Sequence, residues 1–151
     1  MSSNPDQQWL ARTVELAVAN VADGGGPFGA VVVRDGVLLA TGQNRVTRDL
    51  DPTAHAEVLA LREAAAATGS WHLENTTLVV TLEPCAMCAG AILAARVPVV
   101  VFGAWDEKAG AAGSVYDLLR DRRLPHRVEV YAGVLADESE AMLKQFFQAR
   151  R

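Results

Sequence analysis

The stretch TTLVVTLEPCAMCAGAILAA, residues 76–95, contains the only two cysteines of a 151-residue chain. Its first seven residues are threonine, leucine and valine, a composition typical of a buried strand. The apolar run at 85–95 follows Pro84 and predicts a helix, because proline is well suited to the first helical turn. The stretch therefore predicts a strand, a turn and a helix, with Cys85 and Cys88 at the start of the helix.

Apolar periodicity on both sides of this stretch predicts helices and strands in alternation. The predicted elements are a helix at 9–21, two strands joined by the turn residues Asp35 and Gly36, a helix at 56–68 that ends at Gly69, a strand at 97–104, a strand at 127–132 and a helix from about 137 to 148. An Asp-Gly pair between two β-rich runs is a strong hairpin signal. Alternating strands and helices predict a layered α/β fold, and the hairpin makes the expected sheet mixed.

The composition is that of an ordinary folded domain. Half of the residues are hydrophobic and 21% are charged, which excludes a disordered chain. Charged residues interrupt every apolar run well before the ~20 residues that a membrane span needs. The first residues form neither a basic start nor an apolar signal core, so we expect a cytoplasmic protein with no membrane association. A reducing cytoplasm disfavours a structural disulfide between the two cysteines.

Basic residues are concentrated near the carboxyl end of a chain whose net charge is −4. The overall acidity argues against general coating of nucleic acid but is compatible with a local basic patch. The segment RDRRLPHR, residues 120–127, has four arginines and one aspartate, and two further arginines end the sequence. A solvated basic surface is the alternative interpretation. If this patch binds a polyanion, the candidate phosphate-contacting residues are Arg120, Arg122, Arg123, Arg127, Arg150 and Arg151.

A second motif, HAE, supplies the partners that the cysteines need for a metal site. His55, Cys85 and Cys88 offer one imidazole and two thiolates, the donors that zinc prefers, and three protein ligands leave a fourth position for water. Helix amino termini favour the thiolate form. Glu57 could then move protons to and from that water. Residues two apart do not share a face of a regular helix, so His55 and Glu57 converge only at an irregular first turn.

Three other interpretations compete with a catalytic metal site. A lone CxxC could be a redox pair, but this leaves His55 and Glu57 without a role. The cysteines could also be core residues, and a non-catalytic, zinc-stabilised module would normally have four protein ligands. The joint pattern, HAE and then PCxxC with about thirty residues from His55 to Cys85, favours the catalytic zinc site.

This joint pattern resembles the signature of the cytidine deaminase-like superfamily. The segments TLVVTLEPCAMCAGAILAARVPVVVFGAWDEKAGAAGS (77–114) and HRVEVYAGVLADE (126–138) are similar to its bacterial tRNA adenosine deaminase branch. The resemblance implies a three-layer α/β/α fold with a central mixed five-stranded sheet, as a single domain over residues 1–151. It also implies one Zn²⁺ per subunit, a homodimer, and a tRNA anticodon loop or other single-stranded nucleic acid as partner.

The resemblance also implies roles for individual residues. His55, Cys85 and Cys88 would bind zinc, and Glu57 would shuttle protons. Asn44 matches an asparagine that hydrogen-bonds the base. The remaining candidate substrate-binding residues are Pro27, Phe28, Ala54, Pro84, Trp105, Asp106 near the sugar, and Phe146 and Phe147 in the terminal helix. Stacking on the base is the expected role of the aromatic walls, and ordinary core packing is its alternative.

The amino half departs from the tRNA branch. GGGPFGA (24–30) and GQNRVTRDLDPTAHAEV (42–58) resemble guanine deaminases and related nucleoside deaminases, although Ala86 between the cysteines does not match the proline common in that branch. The expected function is hydrolytic deamination of adenosine to inosine at the tRNA wobble position by zinc-activated water. Deamination of guanine or another free nucleobase or nucleoside is the alternative.

Overall fold

The computed structural model describes residues 5–149. The elements in this part of the chain are α1 (Pro5–Ala22), β1 (Gly29–Arg34), β2 (Val37–Gln43), α2 (Val46–Asp49), α3 (Ala56–Thr68), β3 (Thr77–Leu82), α4 (Ala86–Ala94), β4 (Val99–Ala104), β5 (Glu129–Tyr131) and α5 (Ala136–Gln148). None of these helices combines the length and the apolar character that crossing a membrane requires.

The strands form one mixed sheet in the order β2-β1-β3-β4-β5. β1 is antiparallel to both β2 and β3, whereas β3, β4 and β5 are parallel to one another. The expected mixed five-stranded sheet is therefore confirmed. It also follows that β2, β3 and β4 all run in the same direction.

Helices cover both faces of the sheet, as the α/β/α prediction requires. α1 and α5 pack on one face, and α3 and α4 pack on the other. Successive strand residues point to opposite faces, so Val31 and Val33 of β1 contact the α1 layer while Val32 belongs to the cluster with α3 and α4. Burial on both faces explains why the central strands are almost entirely apolar.

Four chain segments meet at one edge of the sheet. The segments after β2, β3 and β4 leave at this edge because those strands share a direction. The glycine-rich segment 23–28 also reaches it, because β1 runs the opposite way and starts there. Open α/β sheets bind ligands beyond the carboxyl ends of their strands, and this is the edge at which α3 and α4 begin.

One glycine brings the start of α3 against the sheet. A Cβ atom on Gly42 of β2 would lie 2.1 Å from the carbonyl oxygen of Ala56 and 2.8 Å from the amide nitrogen of Ala60. Only a residue without a side chain permits this approach. The close contact sets the short distance between β2 and the first turn of α3.

The main differences from the sequence-based predictions concern α1, β5 and α2. α1 starts at Pro5 rather than at residue 9, since proline is suited to the first helical position. The predicted strand at 127–132 is too long: β5 has three residues because it pairs with β4 at only three positions. The single-turn helix α2 was not predicted, because four residues are too few to show a helical period.

Candidate active site

Two helix starts hold the three candidate metal ligands. His55 is the residue before α3 and Cys85 the residue before α4, and both have extended backbones, whereas Cys88 lies in the first turn of α4. His55 Nδ1 lies 3.7 Å from Cys85 Sγ and 3.5 Å from Cys88 Sγ. The three donor atoms all lie within 4.8 Å of one another. The structure thus gathers one nitrogen and two sulfur donors at a single point.

The spacing of these donors fits a tetrahedral zinc ion. Bond lengths of about 2.3 Å to sulfur and about 2.0 Å to nitrogen place those two atoms about 3.5 Å apart in a tetrahedron. The observed nitrogen-to-sulfur distances, 3.5 and 3.7 Å, match this value without any rearrangement. Three protein ligands leave one position open, which is the arrangement of catalytic rather than structural zinc.

The environment of Cys85 favours the charged thiolate that a metal binds. Hydrogen bonds from Cys88 and His55 lower the pKa of the Cys85 thiol to about 3. The shared hydrogen bond raises the pKa of Cys88 in turn, and its burial does the same. Because a metal binds the thiolate form, a low thiol pKa favours metal binding, and metal binding releases thiol protons.

Glu57 is a buried carboxyl beside the three donors. Its side chain is only 6% exposed, and burial raises its pKa above the usual range. It is the second residue of α3, whereas His55 lies outside the helix with an extended backbone. The rule that keeps residues two apart on different helix faces therefore does not apply, and both side chains line the same cavity.

The cavity above the metal ligands has a volume of about 190 Å³. Its walls combine aromatic, aliphatic and polar side chains. The lining residues are Phe28, Asn44, His55, Ala56, Glu57, Val80, Leu82, Glu83, Cys85, Asp106 and Ala109. A mostly apolar pocket with a few convergent polar groups is the usual form of a small-molecule or nucleobase site.

The predicted substrate-binding residues fall into three groups. Phe28, Asn44 and Asp106 line the cavity itself. Trp105 and Phe147 line an adjoining groove, which shares Phe28 and Asp106 with the cavity. Pro27, Ala54 and Pro84 are buried and directly precede Phe28, His55 and Cys85 in the chain.

Phe146 is not brought to this site. It lies in a separate groove with Val18, Val21 and Met142, between α1 and α5, and its ring packs edge-on against Phe147 with the centroids 5.2 Å apart. Neighbouring residues on a helix point about 100° apart, so α5 presents only one of the two phenylalanines to the site. The expectation that Phe146 forms a wall of the base pocket therefore finds no support in this geometry.

The positive charge of the arginine segment is partly neutralised by Asp121 within it and by Asp117 just before it. Arg120 pairs with Asp117 at 3.0 Å and Arg123 with Asp121 at 2.7 Å, all at the surface. Such exposed pairs are weak, but they lower the net positive charge that the segment offers to phosphates. Two other arginines of the segment, Arg122 and Arg127, are also exposed, and Arg150 and Arg151 lie outside the described residues.

Asn20, which no sequence motif marks, organises one side of the cavity. Its buried amide donates hydrogen bonds to the carbonyl oxygens of Gly26 at 2.8 Å and Asn44 at 2.9 Å, and accepts one from the Arg48 guanidinium. These bonds join α1 to the two segments that carry Phe28 and Asn44. An asparagine near a predicted helix end signals a cap, not a link between distant loops.

Glu83 was also missed, although it stands beside Pro84 in the motif. It is 2% exposed and accepts hydrogen bonds from the segment after β4. Burial opposes its ionisation, but hydrogen bonds from Ser114, Asp106 and Ala112 outweigh that effect and hold its pKa below the usual range. Glu83 is thus a charged group inside the protein.

The family model of the cytidine and deoxycytidylate deaminase zinc-binding region matches residues 3–104. The chain belongs to this deaminase family. The match contains His55, Glu57, Cys85 and Cys88, and the donor group in the structure could hold one zinc ion. The deaminase is 42% identical to the tRNA-specific adenosine deaminase of Bacillus subtilis (strain 168) over 146 residues, 97% of this chain and 91% of the relative.

The solved structures similar to this chain include two kinds of deaminase. A chain from a study of A-to-I editing by tRNA:A34 deaminases at the wobble position of transfer RNA has a TM-score of 0.86 and 37% identity, and the match covers 90% of this chain and 99% of that one. A guanine deaminase from Bacillus subtilis has a TM-score of 0.66 and 39% identity, with 95% and 92% covered. Both branches named in the sequence analysis are therefore represented.

Removal of the imidazole ligand is expected to abolish zinc retention. In His55→Ala, two sulfurs remain, and we expect bound zinc after dialysis to fall about tenfold or more because the tetrahedral donor set is incomplete. Elemental analysis of purified protein measures this directly. His72→Ala is the matched control, since His72 is exposed and not a member of the donor group. Full zinc occupancy in His55→Ala would contradict the assignment.

Proposed function

We propose that this protein is a zinc-dependent deaminase that hydrolyses adenosine to inosine at the wobble position of a tRNA anticodon. The observation that supports this most directly is the buried carboxyl of Glu57 beside three metal donors in a cavity of nucleobase size. The likeness to tRNA-specific adenosine deaminases over 97% of the chain supports the choice of substrate.

Glu57 performs the proton transfers of the proposed reaction. Zinc held by His55, Cys85 and Cys88 supplies the Lewis acidity that makes water nucleophilic near neutral pH. Glu57 accepts one proton from the attacking water and donates it to the ring nitrogen next to C6. It then transfers the second proton of that water to the amine on C6, which leaves as ammonia when the C6–N bond breaks. Water and adenosine thus become inosine and ammonia. The raised pKa of the buried Glu57 suits a group that must hold a proton between steps.

The walls of the cavity orient the base in this proposal. Phe28 offers a ring face for stacking, and Asn44 offers its side-chain amide for a hydrogen bond to the base. Asn44 Oδ1 also accepts a hydrogen bond from the amide of Val46 at 3.1 Å, which holds that side chain in one orientation. Asp106 stands at the junction of cavity and groove, where the sugar of an extruded nucleotide would lie.

A single-stranded loop suits this site better than a duplex. The cavity is too confined for a stacked base, so the target nucleotide must leave its stack. The adjoining groove offers the exposed rings of Trp105 and Phe147 for neighbouring bases. An anticodon loop supplies such unstacked nucleotides at low energetic cost. We place the reaction in the cytoplasm, where both free cysteines stay reduced.

A homodimer is the second part of the proposal. The outward residues of α4 are small or apolar: Ala86, Met87, Gly90 and Ala94 are all exposed. An apolar helix face of this kind is typical of an interface, and a two-fold arrangement would pair it with its own copy. Because α4 carries Cys88, this interface would lie close to the active sites.

Guanine deamination is the second candidate function. The observation that favours it is the glycine-rich segment ending in Phe28, which lines the cavity and resembles the guanine branch. The identity of 39% to a guanine deaminase is comparable to that shared with the tRNA-editing structure. Guanine and adenine are both purines with an amine to be replaced, so the same metal and glutamate could serve either.

Replacement of Glu57 by glutamine is expected to stop turnover without loss of metal. The variant keeps the shape of the side chain but cannot accept a proton, so inosine formation in an anticodon stem-loop should fall about 10²- to 10⁴-fold. Glu63→Gln is the matched control, because Glu63 is an exposed glutamate of the same helix. Wild-type rates in Glu57→Gln, with zinc bound, would remove this residue from the mechanism.

Salt distinguishes the two candidate substrates. For an anticodon stem-loop we expect kcat/KM to fall about tenfold or more between 50 and 200 mM salt, since phosphate contacts release counterions. Guanine and adenosine carry no phosphate, so their rates should barely change. Ammonia release from all three probes, measured side by side, decides between the proposals. Rapid release from guanine with none from RNA would favour the second candidate.

A charged side chain on α4 is expected to separate the proposed dimer. A Cβ atom at Gly90 meets no atom within 4 Å, so Gly90→Arg should leave the subunit folded. Its guanidinium would occupy the apolar face, and light scattering should then report a monomer. Ala11→Arg, on the exposed side of α1 in the opposite layer, is the control. A dimer that survives Gly90→Arg would place the interface elsewhere.

A further inference from the structure

Glu83 is a buried acid for which the proposed chemistry has no use. It follows directly after β3, two residues before Cys85, and its side chain lines the cavity. Burying a charge is costly unless the charge is paired or hydrogen-bonded. A residue that only filled space at this position could be apolar, so the role of the carboxylate has to be found among its hydrogen bonds.

Four donors surround the carboxylate, and all of them belong to the segment 105–114, which we call the rim loop. Oε1 accepts a hydrogen bond from the amide of Asp106 at 3.0 Å. Oε2 accepts from the amides of Ala112 at 2.9 Å and Ser114 at 3.0 Å, and the Ser114 hydroxyl donates to Oε1. Four bonds use the full acceptor capacity of a carboxylate, and bonds to a charged acceptor are roughly twice as strong as neutral ones.

The rim loop passes so close to Glu83 that one position has no room for a side chain. A Cβ atom on Gly110 would lie 2.3 Å from the carboxyl carbon of Glu83. Gly110 also forms a bridge with Cys85, and the amide of Ala111 donates to the carbonyl oxygen of Pro84 at 2.8 Å. The rim loop thus contacts three consecutive residues: Glu83, Pro84 and the metal ligand Cys85.

The rim loop supplies one wall of the cavity through Asp106 and Ala109. Asp106 is held from both ends: its amide donates to Glu83, and its Oδ1 accepts hydrogen bonds from the amides of Lys108 at 3.1 Å and Ala109 at 3.2 Å. The direction in which Asp106 faces the cavity therefore depends on the carboxylate beneath it.

We propose that Glu83 is a positioning residue, whose carboxylate fixes the rim loop so that Asp106 closes the substrate cavity over the metal ligands. It neither binds the metal nor moves a proton. Its effect on turnover rests on the proposed deaminase function, whereas its effect on the rim loop does not. Loss of the carboxylate should loosen the cavity wall and weaken substrate binding more than it slows the chemical step.

The first test measures the rim loop itself. In Glu83→Gln one acceptor oxygen becomes an amide NH₂, so at least one backbone donor loses its partner. Amide hydrogen exchange at Asp106, Ala112 or Ser114 should become about tenfold faster or more, while exchange in α1 stays unchanged. Unchanged exchange throughout the rim loop would overturn the proposal. This readout needs no substrate.

The second test separates binding from chemistry. With zinc content equal to that of the wild type, Glu83→Gln should raise KM for an anticodon stem-loop about tenfold and change kcat less than about threefold, since mainly uniform binding is lost. An unchanged KM, or a loss confined to kcat, would overturn the role in closing the cavity. If the wild-type protein deaminates none of the probes, the proposed function is wrong and the exchange measurement alone decides the role of Glu83.

Two further variants separate the proposed role of Glu83 from a general loss of protein stability. Leu10→Ala opens the fully buried cluster of the α1 layer and lowers the melting temperature without touching the rim loop. KM should stay at the wild-type value in this variant, and an equal rise would overturn the proposal. Should Glu83→Gln not fold, Ser114→Ala removes a single donor and should accelerate amide exchange near Ser114 about threefold. Unchanged amide exchange near Ser114 in this variant would also overturn the proposed role of Glu83.

Discussion

The common direction of β2, β3 and β4 is the constraint on which the active site depends. Since these strands end at one edge, α3 and α4 begin close together, and each is preceded by a metal donor in extended conformation. The nitrogen of His55 and the sulfurs of Cys85 and Cys88 therefore meet at distances of 3.5 to 3.7 Å. The metal geometry follows from the topology of the sheet.

Two buried glutamates lie in this cavity, and their surroundings separate their roles. Glu57 is buried, and burial raises its pKa, which suits proton transfer. Glu83 accepts four hydrogen bonds from the rim loop, which keep it charged despite its burial. Pairs of carboxyl groups with opposite pKa shifts are a recurring way for one site to divide its tasks. In the proposed mechanism, the division is between a group that transfers protons and a group that supports the cavity wall.

Sequence patterns predicted the central elements and the metal donors because both depend on local features. Apolar periodicity specifies a strand such as β3, and the HAE and PCxxC motifs each span no more than five consecutive residues. The links made by Asn20 escaped prediction because they join residues 6 and 24 positions apart. Sequence patterns also do not separate Phe146 from Phe147, because which of two adjacent aromatics lines a given groove depends on how α5 docks.

The amino-acid sequence by itself indicated the layered α/β class from apolar periodicity. Its two short motifs, HAE and PCxxC, also marked His55, Cys85 and Cys88 as candidate zinc donors and Glu57 as a candidate acid. Tertiary structure decided which distant segments share the cavity. The contact between the rim loop and Glu83 spans 23 to 31 residues, and no local pattern encodes a hydrogen bond of that range. It exists because β3 and β4 are parallel neighbours whose ends meet at one edge.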